Sequence, residues 1–242
     1  MTEKLWFLKS CELFRRLEAD DLAMLERRCL SRRFARAAPI YMPADEASGV
    51  LLMAEGRAKI CSYTDEGKQA ILAFVEPGEI FGELALLDSG EREEYAEAVE
   101  KSNIIFIPQD VIESLAERHA HVSLGITKLI GLRRRRIERR LKSLLFRSNR
   151  ERLVSLLLEL AEQYGQPTPD GVQLAIKLSH QDLASVIGST RETVTVLLGE
   201  LQTEEFLTLG RRKITITALD NLASSIKAPV PRLPRRALFP TV

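Results

Sequence analysis

The sequence predicts an α+β fold in three parts: a small β-barrel, one long helix, and a compact unit of short helices closed by a hairpin. Three observations predict it. Short β-like runs punctuated by glycine fill the stretch from Phe34 to about Pro108. A near-heptad apolar series follows and ends at Phe146. Two capping-box patterns then flank Gly188, each opening a short helix.

The bounds agree. A chain of 242 residues is long for one domain and comfortable for two. Its 45% apolar and 29% charged content is that of a globular protein with a real core. Net charge is +1, so any nucleic-acid role must rest on local patches rather than on bulk charge. Cys11, Cys29 and Cys61 are scattered without a C-x-x-C pair, which excludes the usual zinc and iron–sulfur spacings. They read as reduced, buried thiols of a cytoplasmic protein. No signal-peptide pattern precedes the first charges, and no apolar run reaches the roughly 18 residues of a membrane span, so no membrane partner is expected.

Taken in order, residues 5–28 read as helical from the recurrence of Leu13, Phe14, Leu17, Leu22 and Leu25. The barrel strands include VLLMAEGRAKICSY and KQAILAFVEPGEIFG, with turns at Glu55-Gly56, Glu66-Gly67 and Pro77-Gly78. Such a barrel has room for one small ligand. The long helix, starting at Asp110 or His121, carries Ile126, Ile130, Ile137, Leu141 and Leu144 as a helix-to-helix seam. Arg133 completes that series between Ile130 and Ile137. An unpaired charge in a seam is costly, so Arg133 needs a carboxylate from a partner helix, such as Glu138, or from a ligand. Arg134 to Arg136 read as a solvated face, and His119 and His121 as surface or hinge residues.

A strongly apolar helix, RLVSLLLELAEQYG, runs from Arg152 to a stop at Gly165, and a polar loop with Pro167 and Pro169 follows. In LSHQDLASVIGSTRETVTVLLGELQ, Ser179 pairs with Asp182 and Ser189 with Glu192 as capping boxes. Gly188 supplies the turn between the helices. The second helix buries Val194, Leu197, Leu198 and Leu201 and leaves Arg191, Glu192, Thr195 and Val196 outward. This is the pattern of a helix-turn-helix. FLTLGRRKITIT adds a hairpin wing with Arg211, Arg212 and Lys213 at its tip, placed to reach phosphates. An arginine in a first helical turn opposes the macrodipole, so Arg191 reads as bidentate to a guanine edge, with Glu192 accepting from a cytosine amino group. Val196 can touch a thymine methyl. The expected DNA-contacting set is Ser179, His180, Gln181, Ser189, Arg191, Glu192, Thr195, Val196, Arg211, Arg212 and Lys213. The proline-rich, basic tail 226–242 reads as a solvated extension.

One stretch, FGELALLDSGEREEYAEA, offers Gly82, Glu83 and Arg92 as the wall of an anion pocket, yet Glu93 and Glu94 follow the arginine. Barrel, long helix and winged helix-turn-helix in this order, with FGELALL, Arg92 and GSTRETV, resemble the cyclic-AMP receptor and FNR (CRP/FNR) family of bacterial transcription regulators. The likeness covers about residue 10 to 222. It implies an N-terminal cyclic-nucleotide-binding-like jelly roll (1–118), a dimerisation helix (119–147) and a winged helix-turn-helix (148–225). It also implies a homodimer on a palindromic double-stranded DNA site that contacts RNA polymerase. The run from RLVSLLL to LSHQDLASVIGSTRETVTVLLGEL is similar to the cyanobacterial nitrogen-control members. That similarity implies a 2-oxoglutarate site from Arg92, Arg133 and Glu138, with Phe81, Gly82, Glu83 and Leu84 along its wall.

Three departures bear on the ligand. Glu93 stands where cyclic-AMP receptors have a hydroxyl residue, and Ile137-Glu138 replaces their Thr-Ser pair. A carboxylate facing a phosphodiester disfavours cyclic AMP. Glu83 replaces an apolar residue of the nitrogen-control members. A small dicarboxylate, a nucleotide, and no ligand at all stay open, the last with an internal Glu83–Arg92 or Glu138–Arg133 pair. The barrel is also shared by sensor modules that act on protein partners, but the capping boxes and wing speak for DNA. No nucleophile–base pair, metal-ligand spacing or phosphate loop points to an enzyme.

Overall fold

The computed structural model describes residues 2–86, 90–210 and 213–234. Arg211, Arg212 and the tail beyond 234 lie outside the described residues. The chain divides into two compact units, Met1–Ile137 and Glu138–Val242.

The first unit opens with α1 (Glu3–Ser10) and α2 (Ala19–Arg28). The helical stretch expected over 5–28 is therefore interrupted, and Phe14 and Leu17 are buried in the turns between. One straight helix presents one apolar stripe; breaking it lets both segments and their link face the same sheet. The strands are β1 (Leu30–Phe34), β2 (Pro39–Tyr41), β3 (Gly49–Glu55), β4 (Ala58–Tyr63), β5 (Gln69–Val75), β6 (Ile80–Phe81), β7 (Tyr95–Ala98) and β8 (Ser102–Pro108). They form two four-stranded antiparallel sheets in the orders β1-β8-β3-β6 and β2-β7-β4-β5. Alternation along β8 builds two cores. Ile104 joins Tyr41, Leu51, Met53, Ile60 and Phe81. Ile105 and Ile107 face outward onto Leu8, Phe14 and Leu25 of the N-terminal helical segment and Leu115 of α3 (Gln109–Arg118). Gly56 and Gly78 turn with φ of 82° and 87°, the left-handed region their sequence context demanded.

The long helix is α4 (Ala120–Phe146), separated from α3 by His119. That break is pinned from α2: the Asp21 carboxylate accepts from Arg118 at 2.6 Å and lies 2.7 Å from His119 Nε2. On α4, Val122, Ile126 and Leu129 pack against the barrel's outer core. Arg133, seven residues beyond Ile126, continues that inward stripe. Leu124, Ile137 and Leu141 are each more than half exposed. The expected seam is one face of the helix, but only its later positions, from Ile137 on, stand exposed. Ile126 belongs to the barrel, and so does Arg133.

The second unit begins its first full helix, α5 (Asn149–Tyr164), three residues ahead of Arg152, because Ser148 and Glu151 form a capping box. The expected polar loop is a hairpin, β9 (Gly165–Thr168) and β10 (Gly171–Leu174). Pro167 fits there because β9 is an edge strand of its four-stranded sheet. Then come α6 (His180–Ile187), α7 (Arg191–Thr203), β11 (Leu207–Gly210), β12 (Lys213–Ile216) and α8 (Leu219–Ser225). Leu153, Leu157, Leu183, Val194, Leu198 and Leu207 form the buried interior.

Candidate functional site

In the barrel unit, Arg92 is held by backbone. Its N–H donates to the Asp45 carbonyl at 2.7 Å, and its own carbonyl accepts from Ala44 at 2.9 Å. The side chain is buried. Nη1 donates to the Gly82 carbonyl at 2.7 Å and Nη2 to the Gly49 carbonyl at 2.5 Å. Gly82 has φ of 69°, and a Cβ there would stand 2.6 Å from Arg92 Nη1, so glycine is required for the approach. The guanidinium also lies over the Tyr41 ring, 4.8 Å from its centre. Burial is the chief influence lowering the pKa of Arg92.

In place of the Glu83–Arg92 pair expected from sequence, this unit forms another. Glu83 is buried and gives its carboxylate to Arg133 of α4, whose Nη2 also donates to the Ile80 carbonyl at 2.7 Å. Phe81 is wholly buried and stacks on Tyr41 at 6.2 Å between ring centres, so its ring is core rather than ligand surface. Leu84 is exposed and lines a cleft of about 510 Å³ with Tyr41, Gly82, Arg92, Glu93 and Glu94. A second cavity, of about 330 Å³, is lined by Phe34, Ile40, Leu51 and Phe106, and shares Tyr41 and Arg92 with the first. Glu138 is the first residue of the second unit.

Sequence reasoning set Glu93 against the arginine, but Glu93 is exposed and Glu94 is half-buried. The Tyr41 hydroxyl donates to Glu94 at 3.4 Å. Burial, then the nearby Glu83 charge, raises the Glu94 pKa, while Arg133, the Tyr41 hydrogen bond and Arg92 oppose the rise. Period-two alternation from Arg92 into β7 was the signal that could have found Glu94. Tyr41 carried no such mark.

In the second unit, Ser179 caps α6 with Asp182 as expected. Gly188 ends α6 at φ 65°, ψ 48°. The second cap is displaced: Thr190, not Ser189, accepts from the Thr193 N–H. Helix α7 therefore starts at Arg191, and Glu192 stands one place before the position a capping box needs. Arg152 fixes the turn, donating to the Ile187 carbonyl at 2.8 Å and to Asn149 Oδ1 at 2.6 Å. Arg191, Glu192, Thr195 and Val196 are all exposed, while Val194, Leu198 and Leu201 are buried beneath them. Thr195 donates its one hydroxyl proton to the Arg191 carbonyl at 2.9 Å. His180 Nδ1, 2.8 Å away, must then be the donor to Thr195 Oγ1. Ser179 and Gln181 are exposed beside it. Gly210 pairs with Lys213 across the wing, whose tip residues Arg211 and Arg212 are not described, and Lys213 is exposed.

All three cysteines are buried. Burial pushes the Cys11 thiol up to about 11 and Cys29 up to about 12, which makes them packing groups rather than nucleophiles.

Comparison with known proteins places both units. A cyclic nucleotide-binding domain matches residues 31–119, and a Crp-like helix-turn-helix domain matches residues 151–225. The chain is 33% identical to a global nitrogen regulator of Synechocystis sp., over 76% of this chain and 82% of that protein. It is 29% identical to a cyclic AMP receptor protein of Thermus thermophilus, over 84% of this chain and 91% of that one. Among solved structures, a mutant of CooA from Carboxydothermus hydrogenoformans has the same fold, with TM-score 0.73, 24% identity and coverage of 84% of this chain and 90% of that one.

Proposed function

The chain belongs to the CRP/FNR family of DNA-binding transcription regulators, and we propose that it binds a palindromic site as a homodimer, reading each half-site with α7. One observation carries this reading. Arg191, Glu192, Thr195 and Val196 form a single exposed face at the start of α7, directly after the left-handed turn at Gly188. A helix N-terminus with an arginine and a carboxylate offers the donors and acceptors of a major-groove reader. Arg191 takes a guanine, Glu192 a cytosine amino group, Val196 a thymine methyl. Ser179, His180 and Gln181 at the start of α6, Ser189 before α7, and the wing with Arg211, Arg212 and Lys213 contact phosphates.

The exposed apolar positions Ile137, Leu141 and Leu144 of α4 are the dimer seam, and the stretch 119–147 serves as the dimerisation helix. A two-fold dimer puts its half-sites about one helical turn apart, roughly 34–36 Å. Bound there, this cytoplasmic regulator contacts RNA polymerase.

The effector is a small anion such as 2-oxoglutarate, or none. Likeness to global nitrogen regulators favours the first. The geometry favours the second, because Arg92 and Arg133 already serve acceptors of the chain itself. Selection from a random duplex library, then fluorescence anisotropy with and without 2-oxoglutarate or cyclic AMP, tests the whole reading. A palindrome bound tightly in plain buffer is expected. A selected site without two-fold symmetry would sink the homodimer reading.

A further inference from the structure

The Glu83 side chain is 6% exposed and sits at the head of the 3₁₀ turn Glu83–Leu86; the Arg133 side chain, 19% exposed, comes from α4. The two link the barrel wall to the long helix. Arg133 forks between one Glu83 carboxylate oxygen and the Ile80 carbonyl, a charge-assisted bond beside a backbone one. The acid is part of the chain. Around the pair, Arg92 and Glu94 complete a set of two guanidinium and two carboxyl groups that act on one another electrostatically. A dicarboxylate entering this set would bring two negative charges beside Glu83 and Glu94, and the cleft that Arg92 and Glu94 line carries Glu91 and Glu93 as well.

We propose that Glu83 is a built-in substitute for an anionic effector: it docks α4 on the barrel through Arg133 without any ligand, and its charge keeps small carboxylates out. The inference rests on reading the barrel as an effector domain. It makes Glu83 the residue that decides whether the site is open to ligands, and it gives this chain a latent carboxylate site around Arg133.

Glu83→Ala exposes the site. The atoms removed, one methylene and one carboxylate, have the size and charge of acetate. Thermal unfolding is followed for the wild type, Glu83→Ala and Glu83→Ala/Arg133→Ala in sodium chloride and in sodium acetate of equal ionic strength. The expected result is a lower Tm for Glu83→Ala in chloride and recovery in acetate. The wild type and the double variant should respond alike to the two salts. Glutarate should bind Glu83→Ala at least roughly tenfold tighter than the wild type. If Glu83→Ala does not fold in chloride, its refolding yield from denaturant in acetate against chloride asks the same question. Acetate doing no better than chloride for Glu83→Ala overturns the proposal. So does acetate rescue that persists without Arg133, or Arg133-dependent uptake of 2-oxoglutarate by the wild type. Wild-type DNA binding, assayed separately in the chloride buffer, tests the underlying reading, and its loss would not be mistaken for either result.

Discussion

The guanidinium of Arg92 rests over the ring of Tyr41, 4.8 Å from its centre, while two of its nitrogens bond the carbonyls of Gly82 and Gly49. The arginine that looks in sequence like a ligand clamp is thus a tie between β3 and the turn after β6. Arg92→Lys keeps the charge but loses the fork, since one ammonium cannot follow two carbonyls and a ring in the same geometry. We expect a loss of about 1–3 kcal/mol with no ligand present, read by urea denaturation. An Arg92→Lys protein as stable as the wild type would return Arg92 to the role of a free anion receptor.

Gly188 is the pivot of the helix-turn-helix. Its φ is 65°, and an added Cβ would sit 3.0 Å from Leu144 Cδ2. Gly188→Ala should cost about 1–2 kcal/mol for the left-handed backbone alone, with crowding against Leu144 added. Thermal melting gives the stability loss. DNA affinity at a temperature where the variant is fully folded should fall less than Tm does, because Gly188 offers no side chain to DNA.

Leu141 is 54% exposed on α4, so a polar residue there costs the isolated chain little. It lies in the proposed seam, where a lysine on each partner would meet its own copy. Leu141→Lys should weaken dimerisation at least roughly tenfold in sedimentation velocity while leaving the helical signal by circular dichroism unchanged. An unaltered dimer would mean that the seam lies elsewhere.

The barrel, the turn at Gly188 and the outward face of α7 were legible because each rests on local rules: strand alternation, positive-φ glycine, and helical spacing around Val194 and Leu198. Register across distance was not. Ile126 and Ile137 share an apolar character, yet one packs on the barrel and the other is exposed, a difference only the fold around α4 decides. The partner of Arg133 was sought on a helix and came from Glu83, fifty residues away in sequence. Ser189 and Thr190 are both good caps, and spacing alone could not choose between them; the choice moved Glu192 out of a capping box. The β9–β10 hairpin hid behind Pro167 because a proline demotes a strand in sequence, although an edge position tolerates it.

Asp21 offers a test by pH. Burial, the largest single influence, raises its pKa, but the hydrogen bonds from Arg118 and His119 and their charges outweigh it, so the net shift is downward. A lowered carboxyl pKa means the unfolded chain binds the proton more readily. Its stabilisation is therefore present above the ordinary aspartate value near 3.8 and fades as pH falls through the lower folded value. Denaturation of the wild type and Asp21→Asn should differ most at neutral pH and converge below about pH 4. Curves that stay parallel down to pH 3 would separate the stability difference from this carboxylate.

Arg191 and Lys213 are both exposed cations of the DNA-binding unit, but one stands at the head of α7 and the other on the wing. An arginine that forks onto a guanine edge discriminates bases, whereas a lysine on a phosphate does not. Arg191→Ala should cost about 1–3 kcal/mol at the selected palindrome and little at sequences changed at the contacted base pair, so discrimination there collapses. Lys213→Ala should weaken all sequences alike and reduce the slope of log K against log salt by about 0.9 for each phosphate the protein no longer neutralises. Anisotropy titrations over a salt series, on the selected site and on single-base variants, separate the two. If Arg191→Ala lowers affinity uniformly and flattens the salt slope while every base preference survives, Arg191 is a phosphate ligand. The reading of sequence would then fall to Glu192, Thr195 and Val196.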